Sequence, residues 1–128
     1  MAHLIFEYTD NLADQGDIPG LLQKANQVLI ESGMFPVGGI RSRAIRLTEY
    51  CIADGGHDDA FVHLTVKAGA GRDPAEIAAV MDQVFEMMKA HFADIYEKQY
   101  LALSLELYEF NKFGTLKHNN IHSRYGKK

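Results

Sequence analysis

Four arginines in this chain have the type and spacing to do chemistry. Arg41, Arg43 and Arg46 fall in one short run, and Arg72 closes the segment Gly69-Ala70-Gly71-Arg72. A guanidinium grips a carboxylate through a planar fork of two parallel hydrogen bonds. A cluster on one strand face, with another at the mouth of a glycine-rich loop, suits a small polycarboxylate. The same side chains would also serve as solvated charges paired with some of the 17 acidic residues. Composition alone does not separate these two readings. Gly69-Ala70-Gly71 opening a helix also suits anion binding by backbone N–H groups. It lacks the G-x-x-x-x-G-K-[ST] pattern, so it does not read as a nucleotide site.

The second candidate is the amino terminus. Residues 2–8 alternate as a strand, with Leu4, Phe6 and Tyr8 on one face. A strand starting at residue 2 and pairing in a sheet pins the α-amino group inside the fold. That amine has an ordinary pKa of about 7.7–8.0, so it is a potential base near neutral pH. The remaining candidates are weaker. His118 and His122 are four apart but flank Asn119 and Asn120, which favour turns, and no glutamate accompanies them. No metal site is expected. His63 reads as a partly buried sheet residue, and Cys51 as packing.

These residues must be positioned by a simple alternation of elements. After the first strand, Asp17 caps a helix over 18–32, Pro19 sits in its first turn, and Gly33 ends it. Residues 41–47 alternate as a strand with Arg41 and Arg43 on one face and Ala44 on the other. Tyr50 to Ala53 either extends this strand or makes a return, and 54–59 is a turn-rich break. The second half repeats the plan. Residues 60–67 form a strand, Asp73 and Pro74 open a helix over about 74–96, and 100–110 form a strand. In that last strand Leu101, Leu103, Leu105 and Leu107 point one way. A polar tail runs from 111 to 128.

The expected fold is therefore α/β (α+β), a tandem β-α-β repeat in one domain over 1–128, with halves at about 2–50 and 60–110. Each half should have parallel strands, and both helices should cover one face of a four-stranded sheet. The other face carries Ile5, Phe61 and the arginines and has nothing in the chain to cover it. Other subunits are the simplest cover.

Composition bounds the class. A chain of 128 residues and 47% hydrophobic content can bury its own core. Its net charge of −4 argues against nucleic acid, and no apolar run approaches the roughly 18 residues of a membrane helix. One cysteine and no signal-peptide pattern at the start fit a cytoplasmic protein.

Several segments resemble the 5-carboxymethyl-2-hydroxymuconate isomerase family of the tautomerase superfamily. They are Gly33-Met34-Phe35-Pro36, Gly39-Ile40-Arg41-Ser42-Arg43, Ala53-Asp54-Gly55, Phe61-Val62-His63, Gly69-Ala70-Gly71-Arg72 and Asn119-Asn120-Ile121-His122. The match is collinear over nearly the whole chain. It implies a cofactor-free homotrimer in homoprotocatechuate degradation, ketonising a dienol to a conjugated 2-oxo acid by proton transfer. It implies an amino-terminal proline base and arginines that bind carboxylates and polarise the 2-oxo group. Arg41 and Arg72 match the family's arginines, with Arg43 a neighbour.

The proline position holds Ala2, preceded by Met1. With Met1 removed, Ala2 offers a primary amine; with Met1 retained, its nitrogen is an amide and no base. Two other readings stay open on that substitution. One is a small-acid binding protein without turnover, the other an amine-dependent decarboxylase or hydratase of the same fold.

Overall fold

Strict alternation along the two central strands decides what the sheet buries. The computed structural model describes residues 1–126; Lys127 and Lys128, the end of the expected tail, lie outside the described residues. The elements are β1 (Ala2–Thr9), α1 (Ile18–Ser32), β2 (Ile40–Leu47), β3 (Ala60–Gly69), α2 (Pro74–His91), α3 (Ala93–Lys98) and β4 (Leu101–Phe110). Ala2, Leu4, Phe6 and Tyr8 of β1 point into the core beside Val62, Leu64, Val66 and Ala68 of β3. The sheet order is β2-β1-β3-β4. β1 and β2 are parallel, β3 and β4 are parallel, and β1 meets β3 antiparallel. The two β-α-β halves that the sequence pattern implied thus join along their first strands, a junction the pattern left open.

Both long helices lie on the same face. α1 buries Leu21, Ala25 and Leu29, and α2 buries Ile77, Val80, Met81, Val84 and Met88 in one shared cluster. Their ends are capped locally. Gly20 N–H donates to Asp17 Oδ1 at 3.2 Å, and Glu76 N–H donates to Asp73 Oδ2 at 3.1 Å. Gly33 ends α1 at φ 69°, a left-handed conformation that strains a side chain but not glycine. On the opposite face, Ile5 registers with Arg43, and no described element covers it.

Four expectations need correction. The helix expected over 74–96 is broken at Phe92 (φ −102°, ψ 14°), so α2 ends at His91 and α3 begins at Ala93. The bend turns both Phe92 and Ile95 into the core. Tyr50 to Ala53 neither extends β2 nor returns, because Leu47 already pairs with Thr9, the last residue of β1. The chain turns instead, with Gly55 N–H donating to Ile52 O at 2.9 Å, and Cys51 is left exposed rather than packed. Arg46 registers with Tyr8 and takes the helix-side parity, so it does not join Arg41 and Arg43.

The tail is also more than a polar extension. It folds back over the start of β2, where Asn119 Nδ2 donates to Gly38 O at 3.0 Å. A Cβ on Gly38 would sit 2.8 Å from the backbone N and Cα of His122. The close crossing therefore requires glycine. Gly38→Ala is expected to push the tail outward and destabilise the fold by about 1–3 kcal/mol. Urea denaturation followed by circular dichroism checks this; an unchanged midpoint would mean the crossing tolerates a methyl group.

Candidate active site

The site grows from the pairing of β1 at its first residue. Ala2 registers with Ile40 on β2 and with Ala68 on β3, and it is fully buried. Parallel β2 therefore brings its beginning to the terminus, which delivers Arg41. Antiparallel β3 brings its end, which delivers Gly69 and the loop carrying Arg72. Gly39 leaves room for the terminus itself, since a Cβ there would lie 3.3 Å from Met1 Cα.

Two cavities open around Met1. The larger, about 480 Å³, is lined by residues 69–72, Phe110 and Lys117. The smaller, about 270 Å³, is lined by Pro36, Arg41, Lys117, Asn119 and His122. Met1 lines both. Arg72 is held in place: its Nη1 donates to Gly69 O at 2.8 Å, and its guanidinium stacks 4.3 Å over the Phe35 ring. Stacking and one backbone bond fix the fork before any ligand arrives, leaving its other N–H donors free for one. Arg41 Nη1 donates to Met1 Sδ at 3.7 Å.

Of the residues singled out from sequence, the structure brings Ala2, Arg41 and Arg72 to one place. Arg43 sits farther along the open face, with Nη1 3.2 Å from His3 Nδ1, and lines neither cavity. His3 joins the two arginines, because its Nε2 lies 3.0 Å from Met1 Sδ. Sequence reasoning passed over Lys117, gave Phe35 no role beyond its place in the Gly33-Met34-Phe35-Pro36 segment, and did not foresee the placement of Asn119 and His122. No local pattern marks the tail residues; their only signal was the Asn119-Asn120-Ile121-His122 segment. His63 does lie on the sheet, with Nδ1 2.6 Å from Ser104 Oγ and Nε2 3.2 Å from Glu106 Oε1, away from both cavities.

The electrostatics disfavour a charge on the Met1 amine, the terminal amine of this structure. Burial lowers the pKa of the terminal amine, and the positive charges of Lys117, Arg72 and Arg41 lower it further. Burial also lowers the pKa of His3, with Arg43, Arg41, Lys67 and the terminal amine adding to the effect. Both groups hold lone pairs beside fixed cations. A neutral amine next to carboxylate-binding groups can take and return a proton on an anionic substrate. Among the described residues, no group of three His, Cys, Asp or Glu side chains is placed to hold a metal ion. Among the described residues, no helix is long and apolar enough to cross a membrane.

Comparison with known proteins places the chain in a family. Residues 2–125 match the family model for 5-carboxymethyl-2-hydroxymuconate isomerase. The chain is 42% identical over 125 residues to the Escherichia coli 5-carboxymethyl-2-hydroxymuconate Delta-isomerase, covering 98% of this chain and 99% of that protein. It superposes on the crystal structure of a 5-carboxymethyl-2-hydroxymuconate isomerase from Deinococcus radiodurans R1 with TM-score 0.94 and 49% identity, covering 98% and 95% of the two chains. A fused 4-OT, solved as a symmetric trimer, shares the fold at TM-score 0.66 and 17% identity, covering 85% and 87%. The family model spans nearly the whole chain and the curated relative is 42% identical over its full length, so the chain belongs to the 5-carboxymethyl-2-hydroxymuconate isomerase family.

Proposed function

We propose that this chain ketonises 5-carboxymethyl-2-hydroxymuconate, or a closely similar 2-hydroxy-dienoate, in the cytoplasmic breakdown of homoprotocatechuate. The observation that carries the reading is the convergence of Arg72 and Arg41 on two adjoining cavities that share the chain terminus as a wall. After Met1 is removed, the Ala2 amine is the base. It takes the proton of the 2-hydroxyl, the oxygen's electrons form the 2-oxo C=O bond, and the double bonds shift along the chain. The resulting ammonium returns the proton to carbon, leaving a conjugated 2-oxo acid. Arg41 and Arg72 bind carboxylates, and either would also stabilise negative charge developing on the 2-oxygen. Arg43 acts from farther out, through the His3 ring. Turnover separates this reading from a mere small-acid binding role, and the product separates it from decarboxylation or hydration.

The chain works as one tautomerase-like domain in a homotrimer. Support comes from the open sheet face bearing Ile5 and Phe61, and from the fused 4-OT relative, which is a symmetric trimer. Light scattering at micromolar concentration should report three chains, with more than about 1,000 Å² buried at a stable contact. A concentration-independent monomer would refute the trimer.

Arg41→Ala and Arg72→Ala should each lose roughly 1.5–3 kcal/mol of transition-state binding, seen as a fall in kcat/KM with the fold intact. Lysine should restore little, because it keeps the charge but not the fork. Wild-type kinetics in either alanine variant would remove that arginine from the site.

The amine sets the pH dependence. In the Met1-bearing structure burial and nearby cations lower the pKa of the terminal amine, and the Ala2 amine left by processing enters the same surroundings, so lowering the pH through its folded pKa protonates the base and removes activity. Activity should rise with pH through a single inflection that lies below about 8. Protein retaining Met1 should not turn over, and Ala2→Pro should be faster than the processed wild type. Equal rates for processed and Met1-bearing protein would place the base elsewhere.

A further inference from the structure

The proposed substrate carries three carboxylates, and Arg41 and Arg72 account for two of them. Two further cations come from the segment after β4: Lys112 lines the larger cavity alone, and Lys117, on the carboxyl-terminal strap, lines both. The strap leaves β4 through a turn in which Asn111 Oδ1 accepts from Phe113 N–H at 2.7 Å and Thr115 Oγ1 donates to Asn111 O at 3.0 Å. Its far end is held by Asn119, which donates to Gly38 O at 3.0 Å and accepts from Ile121 N–H at 2.7 Å. Lys117 lies between these anchors. The larger cavity holds Arg72 and the smaller holds Arg41, and Lys117 and Met1 line both. Among the described residues, Lys117 has no carboxylate within salt-bridge distance.

Resting on the proposed reaction, we infer that Lys117 is a substrate-binding residue whose ammonium holds the carboxylate spanning the two cavities, between the groups held by Arg72 and Arg41. A lysine suits this place. A compact charge on a flexible stem follows a carboxylate that no fork has to orient. After burial, the same charge stands first among the cations that lower the pKa of the Met1 amine. One side chain therefore binds the substrate and disfavours protonation of the amine at the chain terminus. Both effects depend on the strap's closure over Gly38.

The test uses processed full-length protein and three readouts. Titration calorimetry measures binding of propane-1,2,3-tricarboxylate, a stable tricarboxylate probe. The pH dependence of terminal-amine carbamylation by cyanate, read by peptide mapping, follows the amine. Turnover is measured on 5-carboxymethyl-2-hydroxymuconate. Lys117→Met should weaken tricarboxylate binding about 10- to 100-fold. It should also move the carbamylation inflection to higher pH, because a nearby positive charge is gone. Lys117→Arg should restore most of both. Wild-type affinity in Lys117→Met overturns the inference, as does an equal loss in Lys117→Met and Lys117→Arg, which marks a structural role for the strap. If wild-type protein fails to ketonise but Lys117→Met still weakens tricarboxylate binding and Lys117→Arg restores it, the binding site stands and the proposed reaction falls.

Discussion

The pairing of Ala2 on both sides is the constraint on which the rest of this structure depends. Backbone hydrogen bonds to β2 and β3 hold a chain end that would otherwise fray. Because one neighbour is parallel and the other antiparallel, the start of one strand and the end of the other meet at that point. Arg41 and Arg72, far apart in sequence, become neighbours of the same amine. No loop has to fold independently to build the cleft; the sheet topology does it.

The cleft is cationic in an acidic protein. Its net charge of −4 describes the surface as a whole, yet the terminus faces Lys117, Arg72 and Arg41. Burial and these charges act in the same direction on the amine, since each disfavours adding a proton. An anionic substrate would offset the positive charges once bound. Until then, the arrangement disfavours the charged form of the terminal amine. Fixed cations do this more cheaply than mobile ones, and the Phe35 ring and Gly69 carbonyl fix Arg72.

Two adjacent glycines make the enclosure possible for different reasons. Gly38 lets the backbone at His122 cross at close range, and Gly39 lets Met1 pass beside the start of β2. Neither has a positive φ, so the requirement is space rather than backbone freedom. The strap they admit completes the wall opposite the 69–72 loop.

Much of this was legible in the sequence. Period-2 alternation in β1, β3 and β4 and capped apolar stripes in α1 and α2 specify their own elements, because burying one face is a local pattern. The arginines and the pinned terminus were legible as chemistry, and parity correctly set Arg41 and Arg43 together against Ala44. The tail was not legible. Asn119 and Lys117 carry no periodicity, and their positions follow from a single hydrogen bond to Gly38 and from glycine-sized gaps on a distant segment. The break at Phe92 and the exposure of Cys51 were equally hidden, since one depends on the shape of the core and the other on where β1 ends. Sequence by itself determined which segments are strands and helices and which groups can hold charge or protons. Only the tertiary structure decided which of those groups share a cleft, because strand order and the return of the strap are set by contacts between residues far apart in the chain.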